Sequence, residues 1–353
     1  MRHVPRVGIA DSPRSVPARN TLGAVVMRGP VTYFLVVLAL LTFALSAPIS
    51  ASAQAAGPVP TVVTGDVSAS AVKVGTGVTM QGAVTPQDLP TPRTAVLQLL
   101  TATGWRELGR TTTDPTGAYS FRAPTDWYGG HVLRVVAPAT AAYAEGVSPQ
   151  RTVVVTPAYK PRGPASAWKR YSTPARWDPC TAIAYRTNLR KAPKGSLKLV
   201  RRAFTVLHAA TGLTFRNAGR TTKVPFSGGS DAQQFGTDGL VVAWTTPKVV
   251  RGLAGSTAGI GGATSQSANG GPWRYVYGGV AIDATQRLPA KGFRKGQSPG
   301  ALLLHELAHA LGLDHVGAKS QIMFPSLQPT HRGRFEAGDL AGLQAVGAAQ
   351  GCF

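Results

Sequence analysis

Between Leu304 and His315 the chain reads LHELAHALGLDH, and this segment restricts its possible folds more than any other. His305 and His309 are four residues apart, so in a helix they stand one turn apart on the same face. Ser298-Pro299 supplies the start of such a helix, with Pro at the first position where its missing N–H costs nothing. Gly312 lies three residues beyond His309 and suits the left-handed conformation that ends a helix. The chain then turns back and returns His315 towards the first two rings. Three imidazoles converging on one ion leave a fourth position open, which is the arrangement of reactive zinc; structural zinc is closed by four protein ligands. Glu306 follows the first histidine and reaches that open position. The candidate metal ligands are therefore His305, His309 and His315, and the candidate catalytic base is Glu306.

Around this segment, residues 168–353 alternate helix and strand signals. Ile183 to Asn188 has the pattern of a strand. Ser196 is placed to cap a helix running to about Ala210, with Val200, Ala203, Phe204, Leu207 and Ala210 on its apolar face. Leu213–Phe215, Leu240–Trp244 and Tyr275–Asp283 read as strands, and Ala337 to Gly347 as a last helix. Residues 252–272 are rich in Gly, Ser and Thr without clear periodicity, and Ala254 to Gly262 is the candidate edge for an extended substrate. The expectation is a mixed α+β domain.

The first half differs in kind. Val78, Met80, Gly82 and Val84 alternate with polar neighbours, Tyr119 and Phe121 share a face, and Asp114-Pro115-Thr116-Gly117 has the chemistry of a type I turn. About seven short strands over residues 61–155 suggest an all-β sandwich of immunoglobulin-like type. Residues 156–167, TPAYKPRGPASA, read as a Pro-rich linker. At the N-terminus, Val31 to Ala47 is an apolar run preceded by Arg28 and followed by Ala51-Ser52-Ala53. Residues 1–53 therefore read as an export signal, with Met27 an alternative start and an uncleaved anchor the competing reading. Residues 54–60 form a short tail. A secreted, extracellular location follows, with cell-wall association as a variant of it.

The metal segment resembles the extended HExxHxxGxxH motif of the metzincin metallopeptidases. Gln321-Ile322-Met323-Phe324-Pro325 resembles their Met-turn, with Met323 as the floor beneath the ligand rings, and Asp339-Leu340-Ala341-Gly342-Leu343-Gln344 resembles the closing helix of the matrixins. The resemblance covers about residues 168–353 and is strongest over 304–325. It implies a zincin-like α+β fold, one catalytic Zn²⁺ and hydrolysis of peptide bonds in a protein or peptide substrate. Two features depart from the matrixin pattern: no second zinc site or calcium loop stands out, so Ca²⁺ has no support, and the Cys-containing latency segment is absent. Where other metzincins carry a Tyr just after the Met-turn, this chain has Phe324 nearby.

The two cysteines, Cys180 and Cys352, most simply form one disulfide in an exported protein; the alternative is Cys180 as a thiolate that blocks zinc. Asp283 and Asp314 are read as surface or capping residues, with calcium binding or anchoring of a ligand ring as the other option. His208 lies on the first helix and is read as an ordinary packed or surface residue, and His331 and His131 have no partners in sequence. The formal charge of +22, still about +18 without residues 1–53, favours anionic partners such as cell-wall polymer. No nucleic-acid-binding module is visible, and a monomer is expected. Together these readings describe a secreted zinc metalloendopeptidase. The alternative is a cell-surface or cell-wall binding protein with a vestigial zinc domain.

Overall fold

The computed structural model describes residues 57–86, 92–267 and 270–353. The expected export signal, its cleavage point and residues 54–56 of the tail lie outside them. No helix among the described residues is long and apolar enough to cross a membrane.

The N-terminal half builds two sheets over one core. The strand Thr79–Thr85 pairs with Val62–Val63, Asp66–Val67 and Ala118–Arg122. The second sheet runs in the order Ala71–Lys73, Arg151–Thr156, Gly129–Ala137, Thr94–Thr101, Gly104–Thr112. Alternation buries one face of each: Met80, Val84 and Tyr119 from the first meet Leu97, Leu133 and Val153 from the second. The Asp114–Gly117 turn forms through its own side chain, since the Asp114 carboxylate accepts the Thr116 and Ala118 N–H groups, both at 2.9 Å.

The C-terminal domain has a five-stranded sheet: β1 (Ile183–Asn188), β2 (Phe215–Arg220), β3 (Gly239–Thr245), β4 (Gly259–Gln266) and β5 (Arg274–Asp283). Its order is β2-β1-β3-β5-β4, parallel except for β4, which is antiparallel to β5 at one edge. Every residue of β3 is buried, as expected of a central strand covered on both faces. Helix α1 (Ser196–Thr211) buries Val200, Ala203, Phe204, Leu207 and Ala210, the face its 3.6-residue period marks out. Helix α2 (Pro299–Ala310) is buried from Gly300 onward, and helix α3 (Ala337–Ala345) closes the domain.

Three expectations need correction. Ser196 is the first residue of α1 rather than its cap. Gly195, at φ 89°, precedes the helix, and the Ser196 hydroxyl turns back to donate to the Pro193 carbonyl at 2.8 Å. The strand expected at Leu213 begins only at Phe215, because the Leu213 carbonyl is bonded to His208 at the end of α1 (2.9 Å). The stretch 252–272 contains β4. Its period is invisible because Gly259, Gly261 and Gly262 have no side chains to alternate.

Those glycines have a structural reason. A Cβ on Gly261 would lie 2.0 Å from the Glu306 carbonyl oxygen, so α2 and β4 approach backbone to backbone. Gly261→Ala must push the two apart. We expect it to destabilise the domain by about 2–3 kcal/mol, as overpacking does. Gly109→Ala, with open space around it, should leave the unfolding midpoint unchanged. Equal midpoints for the two variants would refute the close approach.

The two halves are joined by specific contacts. Tyr128 N–H donates to Ala209 O at 2.8 Å, Ala102 N–H to Ala349 O at 2.9 Å, and a Cβ on Gly212 would lie 2.7 Å from the Trp127 indole. The Pro-rich stretch is pinned to the C-terminal domain: Tyr159 Oη donates to Phe335 O at 2.7 Å, and Arg162 donates its backbone N–H (2.7 Å) and Nε (3.1 Å) to the buried Glu336 carboxylate. Cys180 and Cys352 form a disulfide, which leaves neither thiol free to block a metal.

One joining contact includes a titratable ring. His208 Nε2 lies 3.1 Å from Asp126 Oδ2, and that hydrogen bond, opposed by burial, raises the imidazole above its ordinary pKa. The stabilisation is complete below the unfolded value of about 6.5 and is lost as pH rises through the raised folded value. The pair is partly exposed, so the effect is small. The thermal midpoint should fall from pH 6 to pH 8 more in the wild type than in Asp126→Asn; parallel curves would show that the pair does not couple to stability.

Candidate metal centre

Helix α2 places His305, Glu306 and His309, and its start follows from local chemistry: Ser298 Oγ accepts the Ala301 N–H at 3.2 Å, and Pro299 takes the first helical position. The helix stops at Leu311. Gly312, at φ 102°, turns the chain, and a Cβ there would lie 2.8 Å from Tyr275 Oη. The return passes through Leu313–Asp314, which pairs with Lys169–Arg170, and delivers His315.

The three rings meet at their Nε2 atoms, which lie 3.1 Å from one another in all three pairs. His305 Nδ1 lies 2.7 Å from Ile322 O, and His309 Nδ1 lies 2.8 Å from Leu313 O. A carbonyl only accepts, so each Nδ1 carries the proton and each Nε2 presents a lone pair. Burial lowers the pKa of all three rings, that of His309 to about 3, and keeps them neutral. Lone pairs gathered at 3.1 Å repel unless a cation sits between them. The spacing is near the edge of about 3.3 Å expected for a tetrahedron with zinc–nitrogen bonds of 2.0–2.1 Å. The donor set thus fits a zinc ion, and the three histidines form a group able to hold a metal.

Glu306 is 2% exposed. Its Oε1 has no hydrogen-bond partner among the described residues, although the Gly261 N–H bonds to the side chain. Burial raises this carboxyl to about 8, and the Gly261 hydrogen bond opposes the rise. A divalent ion beside it would pull the value down. A buried carboxylate oxygen with no partner beside three metal-ready imidazoles is suited to handling a proton.

Residues 177–346 match the family model described as Matrixin. The C-terminal domain is matrixin-like. No curated protein matches the chain. Among solved structures, the chain is similar to the extended catalytic domain of H. jecorina LPMO9A, at 16% identity and TM-score 0.19, covering 27% of this chain and 50% of that one. It is also similar to a CARDB domain from Pyrococcus furiosus, at 11% identity and TM-score 0.20, covering 28% of this chain and 93% of that one. A PKD domain of a peptidase from a Thermoplasmatales archaeon is matched at 20% identity and TM-score 0.19, over 28% of this chain and 94% of that one. Such low TM-scores bear on neither fold nor function. The chain spans half the length of the first of these structures.

Within the matrixin-like domain, Met323 is buried and follows Ile322, whose carbonyl orients His305. Asp339 holds this turn: its carboxylate accepts the N–H groups of Ile322 (2.8 Å), Met323 (3.1 Å) and Glu336 (2.9 Å). Burial raises the Asp339 pKa to about 6 against those hydrogen bonds. Tyr171, 138 residues upstream of His309, brings its hydroxyl to 3.0 Å from His309 Nδ1. It meets the ring at Nδ1, the nitrogen away from the cluster, and so steadies the imidazole. Neither role was legible in sequence. Asp339 appears there only as part of a helix motif, and Tyr171 reaches the ring because the Lys169–Arg170 segment pairs with Leu313–Asp314.

The other candidates stay outside the cluster. Asp314 accepts the His315 N–H at 2.7 Å and pairs with Lys169 at 2.7 Å. Asp283 accepts from Thr285 N (2.9 Å) and Oγ1 (2.8 Å). His331 packs between Gln328 and Lys319, and His131 against Trp127.

Proposed function

We propose that this protein is an exported zinc-dependent endopeptidase whose N-terminal half is an immunoglobulin-like module. The observation that carries the peptidase reading is the convergence of the Nε2 atoms of three neutral imidazoles, within a matrixin-like domain, together with a Glu306 Oε1 that has no partner among the described residues. His305, His309 and His315 would hold the ion, which when bound supplies Lewis acidity towards a peptide carbonyl and lowers the pKa of a ligated water.

The chain's own groups do the rest. Glu306 takes the proton of the attacking water at its carboxylate and passes it to the leaving amine. The Gly261 N–H holds the other side of that carboxyl in place. The outer edge of β4 is free to pair with an extended substrate, and Gly259 to Gly262 keep that edge narrow beside α2. The candidate edge at 254–262 overlaps only the first half of β4; Arg251–Leu253 just before it is a helical turn. The apolar N-terminal run supports export, and the antiparallel pairings in two sheets around one core support the immunoglobulin-like reading.

Purified protein should contain one zinc per chain and cleave casein. A chelator should remove both metal and cleavage, and added zinc should restore both. Casein cleavage by metal-free protein would defeat the proposal.

A further inference from the structure

The charge of this chain is unevenly placed. Between Asp178 and Asp231 there is no acidic residue, while ten Lys and Arg occur. The segment forms one structural unit: β1, α1 and β2, at the sheet edge opposite β4 and the histidine cluster. Eight of the ten cations are exposed, among them Lys194, Lys198, Arg201, Arg216 and Arg220. None of the ten makes an ion pair within the described residues, whereas Arg110, Arg151, Arg162 and Lys169 elsewhere do. The first turn of α1 holds no acidic residue, so the positive end of its dipole adds to Lys194 and Lys198. The carboxylate bonded to this unit is Asp126 of the N-terminal half, tied to His208 at the far end of α1. Beside Arg201 lies an open groove of about 560 Å³ bordered by Thr205, Asn217, Phe204 and Phe215.

We propose that this face binds a linear, flexible anionic polymer of phosphodiester-linked polyols or sugars, of the kind found in cell envelopes. The chemistry selects among polyanions. Firm adsorption to an anionic membrane combines charge with apolar side chains that enter the interface, and none of the exposed large hydrophobic residues falls between 179 and 230. Single-stranded nucleic acid uses exposed aromatic faces to stack successive bases; here Tyr185 and Phe204 are buried against each other, and the one half-buried phenyl ring on the groove, Phe215, packs tilted against Phe204. What remains is spaced positive charge, which holds phosphates through counter-ion release, with Thr205 and Asn217 offering hydrogen bonds to hydroxyl groups. The proposal does not depend on the peptidase reading.

The test uses the whole secreted chain and labelled poly(glycerol phosphate). Charge reversal at Lys194, Lys198 and Arg201 to Glu is compared with the same net change at Lys73, Arg122 and Lys248, exposed cations outside this unit. The first triple variant should lose at least about tenfold in affinity and most of the salt dependence, and the second less than about twofold. Both should keep the wild-type thermal midpoint. A Gln triple at Lys194, Lys198 and Arg201 serves if the Glu triple fails to fold. Equal losses in the two triples would reduce the effect to net charge and overturn the proposal. So would tighter binding of an oligothymidylate or of phosphatidylglycerol vesicles than of the polymer.

Discussion

Glu306→Gln is expected to reduce peptide cleavage by about 10²–10⁴-fold while one zinc per chain remains bound, because general acid–base catalysis contributes on that order and no second carboxylate stands in for it. Among the described residues no Asp or Glu joins the three-histidine group, so no acidic ligand takes the open position. Gln keeps the shape and can still accept the Gly261 hydrogen bond, so the fold should hold. It cannot take a proton at the oxygen that now has no partner. Steady-state cleavage of casein and metal content by atomic absorption, measured on one preparation, check both halves. Unchanged cleavage with zinc bound would remove Glu306 from the mechanism. A wild type inert towards peptides yet bound to cell walls would favour the binding-protein reading instead.

The second large effect concerns Cys180 and Cys352. Their bond closes a loop with a sequence separation of 172 residues. In the chain-entropy model a loop of that length contributes about 5 kcal/mol, by restricting the unfolded chain. The bond also anchors a tail that serves both halves. Arg176 Nη1 donates to Gly351 O at 2.7 Å, Arg176 and Arg274 stack on Phe353, and Ala348 is buried in the core of the N-terminal sheets. The Cys180→Ser/Cys352→Ser double variant should therefore lose about 4–5 kcal/mol in denaturant unfolding. It should also loosen the contact between the halves, seen as faster proteolysis near Ala102 and Tyr128. A loss below about 1 kcal/mol would mean that the tail contacts alone carry the stabilisation.

Much of the metal centre was legible from local sequence. His305 and His309 share a face by helical spacing alone, Ser298-Pro299 starts the helix, and Gly312 ends it. The apolar face of α1 was equally plain from its period. β4 was not legible, because its glycines erase the alternation that marks a strand. The Asp126–His208 contact was not legible either, because its partners are 82 residues apart and lie in different halves.

The sequence by itself determined the three-histidine group, the helix that carries two of its members and the turn that returns the third. All of these depend on interactions within a few residues, where spacing dictates geometry. Only the tertiary structure decided how the three imidazoles are held and what surrounds them: Tyr171 against His309, Asp339 beneath the Met323 turn, Gly261 against Glu306, and the docking of the two halves. Those contacts join segments distant in the chain, and their distances follow from how sheets and helices pack.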